Sequence, residues 1–495
     1  MGIRKKRKRS PEPQLRPARD LERPAGGAGR QSGSGDASGP RSLRGQEPGP
    51  ARAAGLARLF EPVDIASVAF FRICFGLLML WHTLQYLAGG RLERQYLTPV
   101  FFFKFPGFEW MHPGSPAMMR ALFAALAVLA VMIAAGLFYR AACALFLAGF
   151  LYVFLLDEAD YQNHLYLIAL LALVLLAVPA HRGFSLDALR RPRLRAETIP
   201  AWGLWLLRFQ IAVPYVFGGL AKLNYDWLVR AQPMRLWLQE GTEGGLRLDF
   251  LKTEWGAYFL SWGGALYDLG VVPLLLWRRT RVPAFLVTVL FHLTNSELFT
   301  IGIFPWLMIA GALLFFPPDW PRRLRLFRTA PARRSAPVPL RTPAVSRAVV
   351  AALGLFVGLQ VLLPFRHFLY PGPVDWTEEG HRFSWRMKLR DKRGEVRFVA
   401  VDPASGRSYP LHEVDAVLTQ NQRLMMIHDP EMIRQFARFL KERLQQAGYP
   451  GVEVRALTSV SLNGRPRQSL VDPGVDLGSV PRTAGHAGWI VPLKE

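Results

Sequence analysis

Apolar positions along the chain gather into nine runs, at residues 65–87, 119–138, 141–156, 164–180, 202–222, 256–276, 282–300, 302–317 and 347–369. A helix needs roughly 20 mostly apolar residues to cross a bilayer core, so these runs predict about nine spans. The run at 141–156 is short, 256–276 contains Asp268, and 282–300 meets its successor with almost no loop. Pro214 and Pro305 fall inside runs, where neighbouring helices can cover the carbonyls that proline leaves unbonded. After the ninth run the period changes. Residues 384–389, a turn at 391–394 and residues 395–401 predict a β-hairpin. Asp429 and Pro430 open an amphipathic helix to about residue 446, with Gly448 as its stop. A strand is expected at 452–462, ended by Asn463 and Gly464. The expected fold is therefore an α-helical polytopic membrane protein over 59–369, carrying a C-terminal extramembrane α+β, β-rich domain over 370–495.

The polar stretches between runs orient them, because short cytoplasmic loops collect Arg and Lys. With the N-terminus inside, the inner loops hold Arg140; Arg182, Arg190, Arg191, Arg193 and Arg195; Arg278, Arg279 and Arg281; and the arginines of 318–346. The turns at 157–163 and near Glu297, which contain no Lys or Arg, then fall outside, as do residues 370–495. Residues 1–58 begin with a basic cluster and continue rich in Pro, Gly, Ser and Arg, so a disordered cytoplasmic tail is expected. The formal net charge of +24 is thus read as a topology signal, not as a nucleic-acid footprint. The only two cysteines, Cys74 and Cys143, each sit in an apolar run, which fits neither a disulfide framework nor a thiolate metal site.

An ionisable group within a span is costly and marks function. Lys222 closes the fifth run, preceded by Gly218 and Gly219, small residues that admit close approach of a helix or a flat ligand. A partly desolvated lysine can act as a general base; an interfacial lysine paired with Asp226 is the alternative. Asn163 and His164 open the fourth run, just after Asp157 and Asp160. His292 and Asn295, three residues apart, share a helix face at the outer end of the seventh. For His164 the plain alternative is a packing role, and for His292 ordinary helix–helix bonding. The orientation brings all three clusters to one leaflet. None has metal-ligand spacing, a phosphate-cradling loop or a nucleophile elbow.

These residues also carry a resemblance. Residues 62–67 (Pro-Val-Asp-Ile-Ala-Ser), Phe71-Arg72, Tyr96-Leu97, Phe105-Pro106, residues 152–157, Asn163-His164, Lys222-Leu223, Asp226-Trp227, Phe291-His292 and Asn295-Ser296 stand in one order. Residues 383–385 (Phe-Ser-Trp), residues 460–463 and Asp472-Pro473 continue it. In this the chain resembles the vitamin K-dependent gamma-glutamyl carboxylases, whose membrane part is the HTTM domain, over about 60–478; it is read as a bacterial homologue. The resemblance implies a reaction in which reduced vitamin K (a menaquinone or phylloquinone hydroquinone), O2 and CO2 convert peptide glutamate to gamma-carboxyglutamate, releasing the quinone epoxide. No metal is implied. Lys222 matches the family's base and His164 a supporting histidine, while Asn163, Asp157, His292 and Asn295 match positions lining the same cavity. The implied partners are the bilayer, a membrane quinone and a secreted Glu-containing peptide.

The chain departs from the animal pattern. Residues 88–118 and 371–495 contain no cysteine, so the disulfide that staples those regions in animal enzymes is absent. Ala221 stands where the motif has a second lysine, and Arg390 where the animal outer domain has a histidine. These changes bear on peptide binding more than on quinone chemistry. Two other readings stand beside the carboxylase: a quinone-epoxidising protein without protein carboxylation, and a transporter or non-catalytic scaffold. The inverted repeat expected of a transporter is not found.

Overall fold

A computed structural model of the chain describes residues 56–240, 249–299, 301–324, 327 and 346–494. A helix occupies each of the nine apolar runs: α1 (Ala66–Ala88), α2 (Pro116–Ala135), α3 (Tyr139–Phe154), α4 (Asn163–Ala177), α5 (Ala201–Ala221), α6 (Glu254–Leu276), α7 (Arg281–Leu298), α8 (Phe304–Ala312) and α9 (Arg347–Leu362). Their ends follow local chemistry. Ser115 accepts a bond from the Met118 amide at 3.3 Å with Pro116 behind it, and α2 stops at Gly136 in the left-handed region, φ 63°.

Length and apolarity single out five helices able to cross a membrane: α1, α2, α5, α6, and α9 with its 3-10 continuation to Leu369. Tyr139–Phe154, Asn163–Ala177 and Phe304–Phe315 are apolar but shorter, so the expected nine reduces to five on these grounds. Of the shorter helices, α4 and α8 lie inside the bundle, while α3 buries one face and exposes the other, with Leu145 at 60% exposure. In α4, Leu167, Ile168, Leu170, Leu171, Val174 and Leu175 are all buried, pointing to more than one side. The bundle core runs through Phe71, Phe75, Phe146, Leu171, Ile211 and Leu307. At one end Arg72, fully buried, donates to the carbonyls of Ala180, Gly183, Ala134 and Phe184 at 2.5–3.3 Å, covering groups that lipid would leave unbonded.

The C-terminal region has a three-stranded antiparallel sheet, β3 (Lys392–Val401), β4 (Ser408–Leu411) and β5 (Glu453–Leu462), in the order β4-β3-β5. The short strands β1 (Pro62–Asp64) and β2 (Thr198–Pro200) pair elsewhere, at the start of the bundle. Two helices cover the larger sheet, α10 (Gln420–His428) and α11 (Pro430–Gln446), with Asp429 capping α11 through the Glu431 amide at 2.9 Å. Phe398, Ile433, Phe436, Val454 and Leu462 form their shared core. The helix and the last strand lie where the pattern predicts. The hairpin does not. Residues 384–389 form no strand, since Phe383, Trp385 and Lys388 take positive φ of 63°, 57° and 52°. The expected turn at 391–394 is instead the start of β3, which pairs along its length with β5; Gly394 faces Val460, where a Cβ would lie 2.8 Å from the Val460 Cα.

Residues 1–55 of the expected tail lie outside the described residues, and 56–58 are helical. So do most of the arginines expected at 318–346; of the rest, Arg322 pairs with Asp64 at 2.6 Å.

Candidate functional site

Helix α5 ends where the backbone amide of Lys222 bonds Gly218 O and Gly219 O at 3.3 and 3.1 Å. A Cβ on Gly219 would lie 2.8 Å from the Leu269 side chain, so only glycine lets α5 lie this close to α6. That approach sets Lys222 Nζ 2.5 Å from Asp268 Oδ2. Both residues are buried, at 7% and 5% exposure, so the lysine neither snorkels nor pairs with Asp226. Nζ also reaches Gly218 O at 3.4 Å and stands 5.4 Å from the centre of the Trp227 ring. Trp227 is held in turn by its indole N–H to Ser261 O on α6, 2.7 Å. Asp226 turns away and binds Arg465, Arg230 and Asn463 at 2.6–3.0 Å.

A cavity of about 700 Å³ opens beside this pair. It brings together five of the six residues singled out from the sequence: Asn163 and His164 at the start of α4, Lys222, and His292 and Asn295 on α7. Asn163 Oδ1 accepts from the Tyr161 hydroxyl at 3.1 Å, and the His164 ring packs 6.3 Å from that of Phe304. His292 Nε2 bonds the Tyr215 hydroxyl at 2.7 Å, with the Tyr267 hydroxyl 3.4 Å beyond. This is a helix–helix bond, but it leaves half the ring unused: among the described residues His292 Nδ1 has no hydrogen-bond partner, although the side chain is 1% exposed. Tyr267 and Phe291 stack at 3.8 Å and supply an aromatic wall. Phe259, Val287 and Leu290 line the same space and are exposed on the surface of α6 and α7, so the cavity reaches the lipid-facing side. A flat, apolar ring with oxygen substituents suits such a lining.

Asp157 does not join them. As cap of the 3-10 turn Glu158–Asp160, its Oδ1 accepts from the Ala159 and Phe103 amides at 2.9 and 3.3 Å, and its Oδ2 from Gln422 Nε2 at 2.7 Å. Burial pushes its carboxyl up to about 6. It belongs to the seam between the bundle and the C-terminal region, because its oxygens are taken up by the Phe103 and Ala159 amides and by Gln422 of α10.

Sequence reasoning missed the residues that complete the lining. Asp268 had a signal, as a lone carboxylate in an apolar run. Tyr215 and Tyr267 had none that separates them from ordinary core aromatics. His381, Arg386 and Lys388 join Arg390 in a loop that folds over the cavity, and its alternation of apolar and polar residues reads as a strand. Arg386 pairs with Asp375 at 2.7 Å, and Arg390 with Glu378 at 2.5 Å and with the His381 ring at 3.0 Å.

Residues 60–320 match the family described as the HTTM domain, and residues 345–495 match the vitamin K-dependent gamma-carboxylase lumenal domain. No solved structure matches the chain. Two matches in this order span nearly all of the described residues, and the apolar helices agree with the membrane part. The chain is a carboxylase-like membrane protein and belongs to the vitamin K-dependent gamma-carboxylase family.

Proposed function

We propose that the protein is a gamma-glutamyl carboxylase that couples oxygenation of a reduced naphthoquinone, as menaquinone or phylloquinone hydroquinone, to CO2 addition at the gamma carbon of peptide glutamate. The carrying observation is the buried Lys222–Asp268 pair facing a lipid-side cavity with His164, Asn163, His292 and Asn295. Lys222 is the base that takes the hydroxyl proton of the hydroquinone, and Asp268 Oδ2 lies 2.5 Å away to receive the proton the amine must first lose. His164, and the unbonded Nδ1 of His292, are the groups for the quinone oxygens. The hydroquinone with O2 supplies the stronger base that removes the glutamate gamma proton, and CO2 adds to that carbon. Arg386, Lys388 and Arg390 at the cavity favour an anionic side chain such as glutamate.

In this reading all nine helices cross the membrane, with 59–369 as the membrane domain, the N-terminus cytoplasmic, and 370–495 on the outer side with a secreted Glu-containing peptide. Asp157 serves the junction between the two, not the quinone. The test is purified protein with reduced menaquinone or phylloquinone, O2, 14C-bicarbonate and a short Glu-containing peptide. Quinone epoxide and acid-stable 14C both form in the wild type and both vanish in Lys222→Ala. Epoxide without fixed 14C would establish quinone epoxidation without protein carboxylation; neither product with any quinone would return the chain to the scaffold or transporter reading.

A further inference from the structure

Among the described residues that line the cavity with Lys222, Asp268 is the only carboxylate; Arg386 and Arg390, which also line it, are paired with Asp375 and Glu378. An ammonium at 7% exposure loses most of its hydration and needs a compensating partner. Its close partners on this chain are the Asp268 carboxylate at 2.5 Å, the Gly218 carbonyl at 3.4 Å and the Trp227 ring at 5.4 Å. Of these only Asp268 carries a compensating charge. The contact is built into the packing: a Cβ on Gly219 would lie 2.8 Å from the Leu269 side chain and 3.1 Å from the Leu269 amide nitrogen, so α5 and α6 are held together where the two side chains meet.

We infer that Asp268 is a positioning residue that sets the charge of Lys222, holding it as an ammonium in the resting site and tying the release of its free amine to proton transfer within the pair. The transfer balances. The proton leaves Nζ for Oδ2, giving an amine and a carboxylic acid with no net change in charge. When the amine takes a substrate hydroxyl proton, the pair becomes +1 beside an oxygen at −1. A low-dielectric site brings the neutral and ionic forms of such a pair close in energy, because burial penalises the ionic one. The inference rests on Lys222 as the base but makes a claim about this chain without substrate.

The test reads the free amine directly. Full-length protein in detergent is treated at one pH, 7.5, with acetic anhydride, and acetylation of Lys222 is measured by mass spectrometry. Loss of the one carboxylate at this distance leaves a buried ammonium uncompensated and favours the free amine, so Asp268→Asn raises Lys222 acetylation on the order of tenfold. Asp268→Glu, which keeps the carboxylate, stays near the wild type. Access is measured separately, by labelling Lys222→Cys, alone and combined with Asp268→Asn, with a neutral thiol reagent; its rate stays within about twofold. Unchanged acetylation in folded Asp268→Asn, or an equal rise in thiol labelling, overturns the inference. Failure of the wild type to form quinone epoxide would instead overturn the functional reading and leave the acetylation result standing.

Discussion

Among the described residues, two groups of buried charge, one at the seam and one in the cavity, are bonded in different ways. At the seam between the bundle and the C-terminal region, Glu158 meets Arg382 at 3.2 Å, Arg482 at 3.6 Å and Gln435 at 3.3 Å. Arg382 continues to Asp429 at 2.8 Å, and Asp429 also caps α11. Beside them Lys392 donates to Glu378, Trp376 O and His428 O at 2.6–2.7 Å. Each charge there is shared among partners from several elements. In the cavity, by contrast, Lys222 and Asp268 face each other one to one, and His292 keeps a ring nitrogen unbonded. A saturated cluster orders a junction; a pair with capacity left over can exchange protons with something that enters. The seam also explains how the C-terminal region is held without a disulfide. Phe101 packs on Phe436 and Phe439, and the Lys104 amide donates to Gln435 at 2.8 Å, while Cys74 and Cys143 are free.

The sharpest break between the two groups is functional. Lys222→Ala lowers quinone epoxide formation roughly 10²–10⁴-fold, the range for a lost general base. Arg382→Ala acts on stability. It strands Glu158 and Asp429 as buried charges and costs about 3–5 kcal/mol, read as a lower unfolding temperature and faster protease cleavage between the two regions. Asn463→Ala removes bonds to Asp226, Leu389 O and the Asp391 amide, which tie β5 both to the segment after Lys222 and to the cavity loop; about 1–3 kcal/mol is expected in the same unfolding assay.

The seam also has a pH signature. Burial pushes the Glu158 carboxyl up to about 7 from an ordinary 4.5, against the pull of Arg382. A raised carboxyl means the folded state binds the proton more tightly, so this contribution is full below about 4.5 and is lost as pH rises toward 7. Glu158→Gln flattens the fall of unfolding temperature across that window. Smallest of all, Arg438→Ala, which breaks an exposed i,i+4 pair with Glu442, changes stability by under roughly 0.5 kcal/mol and serves as the control.

Much of the fold was legible in the chain because a membrane helix carries its signal locally. Some 20 apolar residues announce it without reference to neighbours, and the Asp429 cap and the Gly448 stop bound α11 in the same local way. Legibility failed where two environments produce one pattern. Residues 384–389 alternate like a strand, yet Trp385 is fully buried against the bundle and its backbone takes positive φ. Asp157 follows α3 just as His164 opens α4, but a side chain seven residues away on a turning loop need not face the same space, and it serves the seam.

That the chain builds a membrane bundle followed by a mixed α and β region, and which polar groups stand within its apolar runs, is therefore written in residue order, through apolar length, caps and composition. Partnership is not. Lys222 has an acidic residue four positions on, in Asp226, but its partner is Asp268, 46 positions on, because Gly219 lets α5 and α6 close while Asp226 is drawn away by Arg465. Pairing of buried charges depends on which helices approach and on what else competes for each side chain, and only packing in three dimensions settles both.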